Sequence, residues 1–145
     1  MVYIMKNIIF EEYIDLFSKL TLKNINEFDN IVDKNIEFID PFNSVKGIKS
    51  FKGIFFHMFE KIKEPKFIIL DYSINNRRLF LKWEMSFFAF NYKQKIIGMS
   101  EIKCNDKGKI ISHYDYWDSM NGLFIKLPLI GFFYRASLKI FSSRN

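Results

Sequence analysis

The stretch GMSEIKCNDKGKIISHYDYWD, residues 98–118, decides how the rest of the chain is read. Runs rich in Ile, Tyr and Trp flank NDKGK at 105–109, whose Asn, Asp and Gly suit a tight turn, so strands are expected at 95–104 and 109–118. Alternation then puts His113, Asp115 and Trp117 on one face and Tyr114, Tyr116 and Asp118 on the other. Ionisable groups on whichever face looks inward must find partners, because burying them unpaired is costly.

Upstream of this hairpin, 66–75 and 78–90 read as two further strands. NN at 75–76 and NYKQK at 91–95 serve as connections, and the spacing suits an antiparallel meander. Nearer the N-terminus the period changes. Ile9, Tyr13, Leu16, Phe17 and Leu20 recur every three or four residues and predict an amphipathic helix over 8–21. NINEFDNIVDKN at 24–35 repeats that pattern, and from Ile48 it returns through Phe51, Phe55, Met58 and Ile62, with Pro65 expected to end it. Between them IEFIDPFNSVKG, 36–47, reads as a short extended piece bounded by Pro41 and Gly47. Three helices followed by a long meander predict an α+β fold, with the helices packed on one face of a mostly antiparallel sheet. We expect one domain over 1–145, with its core at 8–118 and a C-terminal extension at 119–145.

The composition narrows the function. Cys104 is the single cysteine, which rules out an internal disulfide and makes a reducing, cytoplasmic setting the expectation. Lys6, Glu11 and Glu12 interrupt the N-terminal apolar stretch, a poor pattern for a signal peptide. The net charge of +6 lacks the stacking platforms and recognisable module of a nucleic-acid binder, so no nucleic-acid partner is expected. His57 and His113 are 56 residues apart, and the carboxylates lack ligand spacing. No metal and no cofactor are therefore expected. His57 reads as a half-exposed helix residue without a role, Glu84 and Glu101 as solvated, and Cys104 as core.

After Asp118 the chain carries Lys126, Arg135, Lys139 and Arg144 and no acidic residue. From Leu129 it reads as a helix in which Arg135, Lys139 and Ser142 form a narrow polar stripe, and Leu129, Phe132, Phe133, Ala136, Ile140 and Phe141 cover the rest. Such a helix is expected to act as a lid or dimer contact, or to make peripheral contact with the inner face of a membrane through 121–145. A homodimer is expected.

The element order, with a short strand ending in Asp-Pro and long strands closing on YW, resembles the nuclear-transport-factor-two-like superfamily, which includes ketosteroid isomerases and SnoaL-like polyketide cyclases. IEFIDPFNSVKGIKSF at 36–51 and the 98–118 hairpin carry the likeness. The resemblance implies a strongly curved sheet around a cone-shaped pocket plugged by helices. It places Asp40 of FIDPF at the position of the isomerases' general base, and Tyr13 of EYIDLF at their oxyanion-hole tyrosine, across a somewhat longer spacing. The protonated aspartate of that hole has no counterpart, since Ser100 stands there. The resemblance also turns Trp117 into the pocket, and alternation brings Asp115 and His113 with it. The implied site therefore has Asp40 as base, His113 as acid or base with Asp115 orienting its imidazole, and Tyr13 or Ser100 as oxyanion donors. Its lining is Trp83, Met85, Phe87, Ile96, Ser100 and Trp117, suited to a hydrophobic steroid-, polyketide-, terpenoid- or lipid-like molecule. An isomerase, cyclase or hydratase is the first expectation, with a non-catalytic binder of apolar molecules or a protein-interaction module as alternatives.

Overall fold

A computed structural model describes residues 2–141 apart from 90, 91, 123 and 127. The sheet has six strands: β1 (Val32–Ile39), β2 (Ser44–Lys46), β3 (Lys63–Asn75), β4 (Arg78–Ala89), β5 (Tyr92–Cys104) and β6 (Ile110–Trp117). Their order is β2-β1-β6-β5-β4-β3, so the sheet is open, and β1 lies parallel to β6 while every other pairing is antiparallel. The expected meander is β3 through β6. Among the described residues there are five α-helices: α1 (Val2–Ser18), α2 (Phe28–Ile31), α3 (Ile48–Lys61), α4 (Ser119–Gly122) and α5 (Pro128–Phe141).

Several boundaries differ from the sequence expectation, among them α1, which spans Val2–Ser18 where 8–21 was expected, and β3, which starts at Lys63 where 66 was expected. The helical pattern of 24–35 yields only a 3-10 turn at Ile25–Glu27 and the single turn α2, because Val32 already pairs with Ile110 of β6. A backbone paired in the sheet gains hydrogen bonds that four more residues of an isolated short helix could not match. α3 ends at Lys61, ahead of Pro65, which sits within β3. Proline is tolerated there because β3 is an edge strand with one side free of ladder bonds. The connection between β4 and β5 is also shorter than NYKQK, since β5 begins at Tyr92.

The core lies between the helices and the inner face of the sheet. α1 buries Phe10, Tyr13 and Phe17, α2 buries Phe28, and α3 buries Phe51 and Phe55. Cross-strand registers order the sheet face beneath them into rows: Leu79, Ile102 and His113; then Leu81, Ser100 and Asp115; then Trp83, Gly98 and Trp117. Cys104 is buried, as expected of core. Glu84 and Glu101 lie on the opposite face, where they pair with Lys95 and with Arg78 and Lys103.

β6 runs out at Trp117, and Asp118 starts α4 by accepting bonds from the backbone and side-chain N–H groups of Asn121. Phe42, Trp117 and Phe124 cluster beyond it, and Lys126 donates to Gln94 of β5, so the first part of the extension is folded onto the domain. α5 forms as expected and leaves Phe132 and Phe133 largely exposed. No helix among the described residues is long and apolar enough to cross a membrane. Ser142 and Arg144 of the expected stripe and tail lie outside the described residues.

Candidate functional site

Between α3 and the inner face of the sheet lies a cavity of about 500 Å³. On its open side α3 presents Gly53, His57 and Lys61, each four residues from the next and all exposed. Ile54, Met58 and Ile62 form the neighbouring row, and Phe67, Trp83, Met85, Phe87, Ile96 and Trp117 make the sheet wall. Two carboxylates border this apolar space: Asp115 on β6 and Asp40 on the turn after β1.

Asp115 is the end of a buried chain of hydrogen bonds. Its Oδ1 lies 2.7 Å from His113 Nε2 and also accepts from Ser100 Oγ. Ser100 Oγ in turn accepts from Trp83 Nε1 at 2.8 Å, and the hydroxyl of Tyr13 lies 2.7 Å from His113 Nδ1. Donor arithmetic fixes the direction. An ionised carboxylate only accepts, so Nε2 carries the imidazole proton, and Nδ1 is left to accept from Tyr13. This uses each polar hydrogen once with His113 neutral. Burial, and next to it the charge of Asp115, hold the Tyr13 hydroxyl well above the usual tyrosine range, so it stays protonated as a donor. The imidazole is 2% exposed and enclosed by rings, with Phe17 and Phe38 centroids each 5.2 Å away. Among the described residues all the hydrogen bonds of Asp115 fall on Oδ1.

A glycine makes room for this arrangement. The Trp83 indole lies flat across Gly98, its register partner on β5, and a Cβ there would stand 2.3 Å from the ring. Only a residue without a side chain allows the indole to lie down and aim Nε1 at Ser100.

Asp40 is held differently. Its Oδ1 accepts the backbone N–H groups of Phe42 and Asn43, at 2.7 and 2.6 Å, and the Asn43 side-chain amide bonds both oxygens at 3.0 Å. It is a turn-forming aspartate that also borders the cavity.

The residues expected to gather here are thus sorted by depth. Asp40, Asp115, Trp83, Met85, Phe87, Ile96 and Trp117 line the cavity. Tyr13, His113 and Ser100 lie behind the wall, and the Tyr13 and Ser100 hydroxyls, expected as oxyanion donors, are spent on His113 and Asp115. His57, read as having no role, stands on the open side of the cavity with Lys61. The four-residue row Gly53, His57, Lys61 was the available signal. Gly98 was legible only once the register set it opposite Trp83. No group of His, Cys, Asp and Glu among the described residues is arranged to hold a metal ion.

Residues 4–113 match the model of a family described as "Uncharacterized conserved protein (DUF2358)". The chain belongs to this family. The match takes in Tyr13, Asp40 and His113 and stops before Asp115. A comparison with curated proteins finds no match. Solved structures share the fold at low identity. A SnoaL-like protein from Jannaschia sp. CCS1 is 11% identical, with a TM-score of 0.67 over 81% of this chain and 90% of that one. A protein with a ketosteroid isomerase-like fold from Catenulispora acidiphila, in complex with trimethylamine, is 12% identical, with a TM-score of 0.66 over 75% and 86%. An LEH-like epoxide hydrolase of M. tuberculosis is 11% identical, with a TM-score of 0.66 over 97% and 98%. The DUF2358 chain therefore has the nuclear-transport-factor-two-like fold, as the element order implied.

Proposed function

We propose that this DUF2358 protein is an acid-base enzyme of the isomerase, cyclase or hydratase type acting on an apolar small molecule in the cavity, with Asp115 as the proton acceptor. One observation carries the reading: Asp115 borders an apolar wall, and every hydrogen bond it makes among the described residues falls on Oδ1, which His113 and Ser100 hold from behind. In the proposed step Oδ2 takes a proton from substrate carbon or from an attacking water. The electron pair stays on the substrate or forms the new bond, and the proton returns at a second atom. His113 and Tyr13 are positioning residues that keep Oδ1 anchored while Oδ2 changes protonation state. Asp40 is the second carboxylate on the wall. Structures of this fold that hold a small amine or are described as an epoxide hydrolase support the use of such a cavity for small molecules.

The test is mass spectrometry of molecules extracted from purified protein, followed by incubation of the extracted molecule with wild type and with Asp115→Asn. Conversion by wild type alone is the expected result. A retained apolar molecule that neither protein changes would instead establish the second reading, a non-catalytic binding protein. That reading is favoured by one feature: the Tyr13 and Ser100 hydroxyls, the expected oxyanion donors, are both committed inside the protein.

A further inference from the structure

The two ends of the cavity differ in charge. One end is bordered by Asp40 and Asp115. At the other end, where Lys61, Ile62, Phe67 and Phe87 form the wall, the cavity adjoins two surface depressions that share those residues with it. Six lysines line the depressions: Lys19, Lys23, Lys61, Lys63, Lys66 and Lys93, against the acidic Glu60 and Glu64. Lys19 is paired with Asp15. The other five make no ion pair with a carboxylate among the described residues, and Lys63 sits 5.9 Å over the ring of Phe88. Exposed Leu22 and Phe88 lie among them, so the surface is apolar as well as basic. The carbonyl end of α3 points to this region with partial negative charge, which Lys61 in its last turn offsets.

A ligand crossing this field is oriented by it. An anionic group beside Asp115 would meet a like charge across low-dielectric walls, whereas among the lysines it meets unpaired cations at the solvent boundary. We propose that the cavity takes an apolar molecule with one acidic headgroup, held at the lysine-rich end beside Lys61, with its apolar body reaching inward to Asp115. This rests on the reading of the cavity as a small-molecule site and adds the class and direction of the ligand. A free carboxylic acid and an anionic lipid headgroup share this chemistry.

The experiment is calorimetric titration of the full chain with three ten-carbon probes below their aggregation concentrations: decanoate, decanol and decylamine. Decanoate is expected to bind at least about tenfold more tightly than decanol, the worth of one charge-assisted contact, with decylamine weakest. The double variant Lys63→Glu, Lys66→Glu, at residues of the adjoining depressions and outside the cavity lining, should remove that preference and leave decanol binding unchanged, which shows the cavity intact. Decanol or decylamine binding as tightly as decanoate would overturn the proposal while the apolar cavity stands. Binding of none of the three would overturn both readings. Sedimentation with phosphatidylglycerol-containing vesicles separates the sources. Co-pelleting abolished by the double variant assigns a bilayer lipid, and decanoate preference without co-pelleting assigns a free acid.

Discussion

Asp40 and Asp115 border one cavity but are held by different kinds of structure. Asp40 is fixed by its own turn, since every hydrogen bond it accepts comes from Phe42 or Asn43. Asp115 is fixed by side chains from β5 and β6, which are themselves set by α1 and β4 through Tyr13 and Trp83. A carboxylate with both oxygens engaged in a turn has its acceptor positions taken up by structure. One anchored through a single oxygen keeps the other for chemistry. The comparison is the ground for proposing Asp115 of the last strand, and not Asp40 of the Asp-Pro motif, as the proton acceptor.

The largest effect that could break this contrast is on turnover. Asp115→Asn is expected to lower conversion of the extracted substrate by roughly 10²–10⁴-fold, with Asp40→Asn lowering it far less. Comparable losses in both, in proteins that remain folded by circular dichroism, would return the role to Asp40.

Gly98→Ala sharpens the comparison from the support side. A methyl 2.3 Å from the Trp83 ring forces the indole off Ser100 and should cost about 1–3 kcal/mol, as overpacking does. Urea unfolding followed by tryptophan fluorescence gives both the loss and the shift in emission.

Tyr13→Phe removes the donor to His113 Nδ1 and leaves a buried acceptor unsatisfied, a loss of about 1–3 kcal/mol. It also has a pH signature. The ordinary tyrosine value is 10.0, and burial raises it in the folded chain. Above that pH the unfolded chain loses the Tyr13 proton while the folded chain keeps it, so stability falls as pH rises, by about 1.4 kcal/mol per pH unit. Urea midpoints measured above pH 10 should therefore decline less steeply in Tyr13→Phe than in wild type.

Asp40→Ala gives the smallest effect. The N–H groups it releases belong to a turn at the surface, where water replaces the carboxylate, so thermal melting should show a loss of about 1 kcal/mol.

Much of this architecture was legible in the chain. The four meander strands follow from period-two alternation bounded by Asn- and Gly-containing turns, and α1 and α3 from apolar positions three and four apart. The alternation of SHYDYWD also placed His113, Asp115 and Trp117 on one face correctly. Where local signals competed with pairing they misled. Residues 32–35 have helical spacing, yet β1 begins at Val32, which pairs with Ile110 of β6. The site was less legible than the fold. That His113 would be walled off by Phe17 and Phe38 depends on three elements meeting, and the exposure of His57 and Lys61 to the cavity depends on where α3 lies against the sheet.

By itself the sequence determined which residues share a face, because side-chain direction along a strand or helix is set by backbone geometry within a few residues. Depth was decided only in three dimensions. Whether a hydroxyl, an imidazole or a carboxylate ends at the cavity wall or one layer behind it depends on which distant chain segments supply its hydrogen-bond partner. For Tyr13, His113, Ser100 and Asp115 that partner came from packing α1 and β4 against the last two strands.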